Sequence, residues 1–272
     1  MMRITAPIKR WLKRGLPPGM LLSLRKRYAI LRYRGTARYC PACDSHLARF
    51  IAGGEFLNRP EARCPACGAL ERHRLIALFF REWSDLYAGG DRSMLHFSPE
   101  AVFEQQFRRI PGLDYLTADL SDPRVMVQMD IAAIPYPDQH FDIIYCSHVL
   151  EHVPDDRQAI RELRRVLKPS GWAVLQVPVT AERTIEDPTI TDPQERLRLF
   201  GQEDHVRRYG IDYPERLEAA GFRVLAIPAE GIAGEARIAR LGLDRDEKVY
   251  FCTPEENAIY RQISARMEKR DR

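Results

Sequence analysis

Four cysteines in two pairs are the residues of this chain whose type and spacing fit the most clearly defined chemistry. Cys40 and Cys43 are separated by two residues, and Cys64 and Cys67 repeat that spacing after twenty intervening residues. Two residues between cysteines allow both thiolates of one turn to reach a single ion, and two such turns supply a closed tetrahedral site. The spacing therefore predicts a structural zinc ribbon over residues 39–70 in a reducing compartment, rather than a disulfide framework.

Histidines in two segments supply candidates for acid–base chemistry. His148 and His152 follow an apolar run, and His205 lies within 201–210, a run of charged and hydrogen-bonding side chains. An imidazole has a reference pKa near neutrality, so it can act as a general base at physiological pH. His205 and His148 are the preferred catalytic candidates, whereas His152 is expected to pack or to cap a helix.

A regular fold must position these residues, and the hydropathy pattern from residue 92 onward predicts one. Short apolar runs typical of strands alternate with helical stretches, and the helix over 213–220 meets Gly221 where a C-terminal stop belongs. This order predicts an α/β fold, a Rossmann-like, doubly wound and mostly parallel sheet of seven strands, preceded by the small zinc ribbon. The predicted strands cover 94–97, 114–118, 125–129, 141–146, 172–177, 222–227 and 248–253, and the other helices cover 102–109 and 155–167.

Charge divides the chain further. Residues 1–38 contain eleven Lys or Arg and no Asp or Glu, although the whole chain has a formal charge of only +4. Such a basic arm suits a polyanion, either nucleic acid phosphates or an anionic membrane surface, and the alternative is a solvated tail. We expect a helix over 71–87 within a linking segment, 71–91, then the main α/β domain over 92–256 and a helical tail over 257–272.

Two classes of protein are disfavoured by what the sequence lacks. No apolar run approaches the roughly 18 residues that a membrane-spanning helix needs. We therefore expect a soluble, cytoplasmic protein, with peripheral membrane contact through the basic arm as an alternative. A nicotinamide oxidoreductase is also disfavoured, because no Gly-x-Gly-x-x-Gly motif follows the first predicted strand.

Two segments of the predicted sheet resemble class I S-adenosylmethionine-dependent methyltransferases. Residues 141–153, FDIIYCSHVLEHV, are similar to the fourth strand and the following loop of that family. Residues 163–172, LRRVLKPSGW, resemble its next helix, turn and fifth strand. The resemblance covers roughly residues 92–256 and implies an enzyme that binds S-adenosylmethionine and transfers its methyl group.

The resemblance also implies which strand ends hold the nucleoside of this cofactor. Asp119 follows the second predicted strand, where the family binds the ribose hydroxyls. Asp130, with Ile131 as its apolar neighbour, follows the third strand, where the family contacts the adenine amino group. Both positions lie at the carboxyl ends of strands, where open α/β sheets bind their ligands.

The turn after the first predicted strand departs from the glycine-rich pattern that is usual in the family. It reads LHFSPE over 95–100 and resembles the turn of a subgroup of zinc-bearing bacterial methyltransferases. In that subgroup the turn replaces the glycine loop, and Glu100 would bind the methionine ammonium of the cofactor. The other candidate cofactor contacts are His96, Ser98, Ser147 and His148.

The sequence leaves the methyl acceptor open, together with one rival function. A glycan or another small molecule is the preferred acceptor, and RNA is a second candidate even though the ribbon is not notably basic. The segment 180–199 is expected to be a loop that covers the acceptor. The rival function is that of a catalytically degenerate binding module, which uses the ribbon to hold nucleic acid or protein. The altered first turn favours that rival, whereas Asp119 and Asp130 oppose it.

Overall fold

The computed structural model describes residues 18–54 and 59–270. The part of the predicted basic arm before residue 18 lies outside these ranges. Within the described residues, no helix is long and apolar enough to cross a membrane. The described residues form two compact units, one from 18–54 and 59–77 together with 233–244, and one from 78–232 together with 245–270.

The helices of the described residues are α1 (Pro18–Arg32), α2 (Glu71–Glu82), α3 (Ala101–Phe107), α4 (Asp156–Val166), α5 (Pro193–Phe200), α6 (Tyr213–Ala219), α7 (Ala229–Ala233), α8 (Glu235–Leu241) and α9 (Ala258–Glu268). The first strands are β1 (Arg34–Cys40), β2 (Ser45–Leu47), β3 (Ile51–Gly53), β4 (Arg59–Arg63), β5 (Arg92–Phe97), β6 (Leu113–Asp119) and β7 (Val127–Gln128). The later strands are β8 (Phe141–Ser147), β9 (Leu167–Gln176), β10 (Val179–Ala181), β11 (Ile185–Glu186), β12 (Arg207–Gly210), β13 (Arg223–Pro228) and β14 (Lys248–Thr253).

The central sheet of the second unit has seven strands in the order β13-β14-β9-β8-β5-β6-β7. Its pairings are parallel except those of β14, which runs antiparallel to both of its neighbours. The strand order reverses at β5, which pairs with β6 on one side and with β8 on the other. The predicted doubly wound, mostly parallel sheet of seven strands is confirmed, and its switch point lies between β5 and β8.

Strand β8 lies at the centre of the core. Its residues 143–146 are fully buried, as expected of a near-continuous apolar run in a parallel sheet covered on both faces. The neighbouring strand β9 approaches it so closely that a Cβ on Gly171 would lie 2.6 Å from the carbonyl oxygen of Asp142. A glycine is therefore required at position 171 of β9.

Helix α2 ends at Glu82, five residues before the predicted end. The hydroxyl of Ser84 donates to the carbonyl of Phe80 and accepts from the amide of Leu86. A serine that bonds local backbone in this way competes with the helical ladder. The apolar pattern continues past this point because the buried side chains of Trp83 and Leu86 lie in the segment that follows the helix.

The segment expected to be a loop over 180–199 contains regular structure instead. Strand β12 pairs in parallel with β10 and in antiparallel with β11, so the three form a separate small sheet. Helix α5 follows, with the side chain of Asp192 accepting the amide of Glu195 as its cap. The local sequence pattern did not reveal these strands because their shared partner lies more than twenty residues further along the chain.

Candidate functional site

The turn after β5 meets the end of β6 at the switch point of the sheet. Ser98 adopts a left-handed conformation with φ of 45°, a region that glycine enters with less strain. Its hydroxyl donates to Oδ2 of Asp119, and its amide donates to the carbonyl of Ala118 over 2.8 Å. The serine thus makes a turn in a conformation that favours glycine, and its side chain adds a bond to the carboxylate.

The carboxylate of Asp119 is held from two sides. Its Oδ1 accepts the amides of Ser121 and Asp122 over 2.8 and 2.9 Å, and its Oδ2 accepts the hydroxyl of Ser98. Burial works to raise the pKa of Asp119, but the hydrogen bonds from Ser98 and the two amides prevail and hold this pKa below its usual value. Because a carboxylate offers about four acceptor positions, one position on Oδ2 remains for a further donor such as a hydroxyl.

Glu100 lies two residues beyond Ser98, and the buried side chains of β5 and β8 hold its carboxylate in place. Its Oε2 lies 2.9 Å from Nε2 of His96, and its Oε1 accepts the hydroxyl of Tyr145 over 3.0 Å. His96 Nδ1 lies 2.8 Å from the hydroxyl of Tyr115, so the four side chains form one continuous network. Tyr145 and His96 are fully buried, whereas the carboxylate of Glu100 is partly exposed.

This network assigns a position and a tautomer to His96, which the sequence placed among the cofactor contacts. Burial raises the pKa of Tyr115, so the phenol keeps its proton and donates it to Nδ1. Because a carboxylate oxygen accepts hydrogen bonds, Nε2 of His96 donates to Oε2 of Glu100. With a side chain that is 0% exposed, His96 holds Glu100 in place from inside the sheet.

Asp130 and Ile131 follow β7, which pairs with the end of β6. Asp119 is the register partner of Gln128, and the amide of Met129 donates to the carbonyl of Asp119 over 3.0 Å. The side chain of Asp130 is exposed and accepts the amide of Ala132 over 2.8 Å. Ile131 is buried. The pairing of β6 with β7 thus brings the strand ends that carry the two predicted aspartates side by side.

The end of β8 carries the next candidates. Ser147 is buried, whereas the side chain of His148 is 30% exposed and its backbone is left-handed with φ of 56°. His148 Nδ1 lies 3.2 Å from Oε1 of Glu151, whose side chain is only 2% exposed. This contact leaves Nε2 of His148 as the nitrogen available to a bound molecule.

His205 lies against the loop that follows β8, although it is more than fifty residues further along the chain. Its Nδ1 is 3.1 Å from the carbonyl oxygen of Phe200, and its ring meets that of His152 edge-on with centroids 4.7 Å apart. Nδ1 of His152 is 3.1 Å from the exposed carboxylate of Asp204. His205 is therefore buried beside His152, which sequence reasoning assigned to packing or capping.

Hydrogen bonds from Val206 and Arg207 to backbone carbonyls hold the segment around His205 against the loop that follows β8. The amide of Val206 donates to the carbonyl of Glu151 over 2.9 Å. The buried guanidinium of Arg207 donates to the carbonyls of the loop between β8 and α4, namely those of Leu150, Val153 and Pro154. Its charge is balanced by Asp156 and Glu186, and hydrogen bonds from Arg216 and Arg207 lower the pKa of Glu186 to about 2 despite partial burial.

A shallow depression of about 500 Å³ lies at the opposite, amino end of the strands. Its lining includes Ser93 and an ion pair in which Lys168 lies 2.7 Å from Asp142. Burial works to raise the pKa of Asp142, but hydrogen bonds from Lys168 and Ser93 lower it. Ligands of open α/β sheets bind at the carboxyl end, so we assign no role in cofactor binding to this depression.

The four paired cysteines converge in the first unit. Cys40 Sγ lies 3.7 Å from Cys67 Sγ, and Cys43 Sγ lies 3.8 Å from Cys64 Sγ. A tetrahedron with zinc–sulfur bonds of about 2.3 Å has edges of about 3.8 Å, so the sulfurs are spaced as such an ion requires. A backbone hydrogen bond closes each turn, from Cys43 N to the carbonyl of Cys40 over 3.3 Å and from Gly68 N to the carbonyl of Cys64 over 2.8 Å.

Comparison with protein families matches residues 95–175 to the family described as a methyltransferase domain. A 27-O-demethylrifamycin SV methyltransferase of Amycolatopsis mediterranei is 37% identical over 75 residues, which are 28% of this chain and 27% of that protein. A probable S-adenosylmethionine-dependent methyltransferase of Mycolicibacterium smegmatis is 33% identical over 124 residues, 43% of this chain and 44% of that one. The chain spans less than half the length of these curated relatives.

Among solved structures, that of the YcgJ protein from Bacillus subtilis shares 19% identity and covers 66% of this chain and 94% of its own, with a TM-score of 0.42. The family match runs from β5 to β9, the strands that flank the switch point. The resemblance to the methyltransferase domain family thus covers these strands, residues 95–175 of the chain.

Sequence reasoning missed several residues that shape this site. Tyr115 and Tyr145 were assigned only to strands, and Glu151 only to a motif. A signal for Glu151 was present, because a carboxylate between two histidines directly after a buried strand is unlike a helix cap or a core residue. No comparable local signal marks the two tyrosines.

Proposed function

We propose that this protein transfers a methyl group from S-adenosylmethionine to a polar acceptor, a glycan or another small molecule. The observation that carries the proposal is the carboxylate of Asp119, held by Ser98 at the switch point with one acceptor position free. It lies in the segment that matches the methyltransferase domain family. The two curated relatives named above carry the names of methyltransferases, and only one of these names includes an acceptor, so they support the reaction and leave the acceptor to experiment.

The described residues fit the cofactor in three places. Asp119 would accept a ribose hydroxyl, Asp130 with Ile131 would border the adenine, and Glu100 would bind the methionine ammonium through a charge-assisted hydrogen bond. When bound, S-adenosylmethionine supplies an electrophilic methyl group. The part left to the protein is to align the acceptor, since positioning accounts for much of such a rate enhancement.

An acceptor that must lose a proton needs a base, and the structure favours His148 for that role over His205. His148 is partly exposed, and its Nδ1 faces Glu151, which orients the ring and leaves Nε2 for the acceptor. His205 is only 4% exposed, so it is shielded from a substrate. Burial also lowers the pKa of His205, which makes the imidazole a weaker base.

Calorimetry with S-adenosylmethionine tests the cofactor assignment. We expect binding by the full chain, weakened about 10- to 100-fold in Asp119→Asn because a charged acceptor with a donor hydroxyl contributes about 1.5–3 kcal/mol. Asp114→Asn is the matched control, since it lies on the same strand at the opposite end and should leave the affinity unchanged. No binding by the unaltered chain at millimolar cofactor would refute the proposal and favour the degenerate binding module.

We also propose that Cys40, Cys43, Cys64 and Cys67 hold a structural zinc ion. Their sulfur spacing supports this, and a site closed by four thiolates has no position for a reacting molecule. Replacing Cys67 with Ser should remove one zinc per chain and lower the stability of the first unit, as followed by metal analysis and thermal unfolding. The control variant is Cys252→Ala in β14, which should bind as much zinc as the unaltered chain. Equal metal content in the two variants would contradict the assignment.

A further inference from the structure

The loop after β8 and the residues before β12 bring together two buried polar atoms that are not hydrogen-bonded. Among the described residues, neither Oε2 of Glu151 nor Nε2 of His205 has a hydrogen-bond partner. The residues are 1% and 4% exposed, respectively. Leaving a buried polar atom unpaired costs about 1–3 kcal/mol, and more when the group is charged, so two such atoms at one place indicate a missing ligand.

The orientation of both histidines leaves one nitrogen of each free for such a ligand. His205 Nδ1 faces the carbonyl of Phe200, so this nitrogen carries the proton and donates it, while Nε2 keeps its lone pair. His152 Nδ1 faces the carboxylate of Asp204, which leaves its Nε2. Histidines that bind metals usually donate their other nitrogen to a backbone carbonyl or a carboxylate. His205 faces a carbonyl in this way, and His152 faces a carboxylate.

We propose that Glu151, His152 and His205 bind a divalent first-row transition-metal ion. One ligand atom from each of the three lies within 4.8 Å of the others. Ligands of a tetrahedral zinc ion with bonds of about 2.1 Å lie about 3.4 Å apart, so binding draws these three ligand atoms closer together by at most about 1.4 Å.

The donor set selects the kind of ion. Two imidazoles with one carboxylate suit zinc, iron, manganese, cobalt or nickel, whereas magnesium and calcium prefer oxygen ligands throughout. Three protein ligands leave at least one position for water or for an oxygen of a bound molecule, unlike the closed site of the four cysteines. Arg207, a cation that contacts this loop, is already paired with Asp156 and Glu186.

Metal content measured on the full chain tests the site without reference to methyl transfer. Protein stripped with a chelator, reloaded with zinc and dialysed should hold one equivalent fewer in His152→Gln, His205→Gln and Glu151→Gln than in the unaltered chain. Cobalt loading separates the two sites, because the cysteine site shows thiolate-to-cobalt absorption. Each of the three variants should keep that absorption and lose the remaining cobalt.

His140→Gln is the matched control, an exposed histidine that precedes β8, and it should bind as much metal as the unaltered chain. His205 is buried, and its variant is at risk of misfolding; His152 is partly exposed, so its variant decides the question in that case. Unchanged metal content in a folded His152→Gln, or an equal loss in His140→Gln, would overturn the site. Cofactor calorimetry on the chelator-treated protein stays a separate test, so failure of the metal site and failure of the proposed methyl transfer remain distinguishable.

Discussion

The second unit contains two clusters in which a glutamate meets histidine, and they differ in how completely they are paired. Around Glu100, both carboxylate oxygens and both nitrogens of His96 have partners. Around Glu151, one carboxylate oxygen and one nitrogen of His205 are buried without a partner among the described residues. The clusters lie at the same edge of the sheet, since one follows β5 and the other follows β8.

The difference separates holding a ligand group in place from being open to a ligand. A saturated buried network stabilises a single conformation, because every polar group would lose a bond if it moved. A cluster with unpaired buried atoms is costly unless something binds there. We therefore expect mutations in the first cluster to lower stability, and mutations in the second to change binding more than stability.

Arg207→Met breaks this comparison most severely, because it removes the support of the open cluster. Its guanidinium donates to the carbonyls of Leu150, Val153 and Pro154 and pairs with Asp156. Asp156 keeps its contacts with Arg216 and Tyr209, but the carbonyls of Val153 and Pro154 lose this buried donor. Leaving one buried carbonyl without its donor costs about 1–3 kcal/mol, so we expect the loss of two such bonds to lower the free energy of unfolding, measured in urea, by about 2–6 kcal/mol. Arg208→Met, which loses only exposed contacts to Thr180, should cost less than about 1 kcal/mol, and equal losses in the two variants would contradict this account.

Glu100→Ala tests the saturated cluster. It removes the carboxylate that contacts Nε2 of His96 and accepts the hydroxyl of Tyr145 inside the sheet, so we expect unfolding to require roughly 2–3 kcal/mol less. Glu104→Ala lies on the same helix, and its carboxylate makes an exposed pair with Arg108, so it should change stability by less than about 1 kcal/mol. Urea unfolding of the two variants side by side measures the difference, and a loss below 1 kcal/mol in Glu100→Ala would mean that water replaces the carboxylate freely.

Much of the frame of both clusters could be predicted from the sequence. The apolar run of β8 and the stop of α6 before Gly221, whose φ is 91°, are local signals, because burial and backbone freedom are properties of individual residue types. The cysteine spacing is equally local. These features fixed the sheet and the edge at which ligands should bind.

The pairing within each cluster could not be predicted, because it depends on residues that meet only in the folded chain. His96 and Tyr145 are 49 residues apart, and Glu151 and His205 are 54 apart. Ser98 was a second obstacle, since a serine in a turn gives no sign that its backbone will be left-handed. Arg74 shows the same limit in the first unit, where it donates to the carbonyl of Leu241, 167 residues later.

Glu151→Gln is the smallest expected change in stability and sharpens the comparison most. In chelator-treated protein, Oε2 of Glu151 makes no hydrogen bond, and the glutamine oxygen can still accept the contact from Nδ1 of His148. We therefore expect the free energy of unfolding to change by less than about 0.5 kcal/mol, because the oxygen that the amide nitrogen replaces makes no hydrogen bond that could be lost. With zinc added, the unaltered chain should gain stability through binding to the folded state, and the variant should gain less by the share of this site. A loss of 2 kcal/mol or more without metal would show that Oε2 already has a partner, and the two clusters would then be alike.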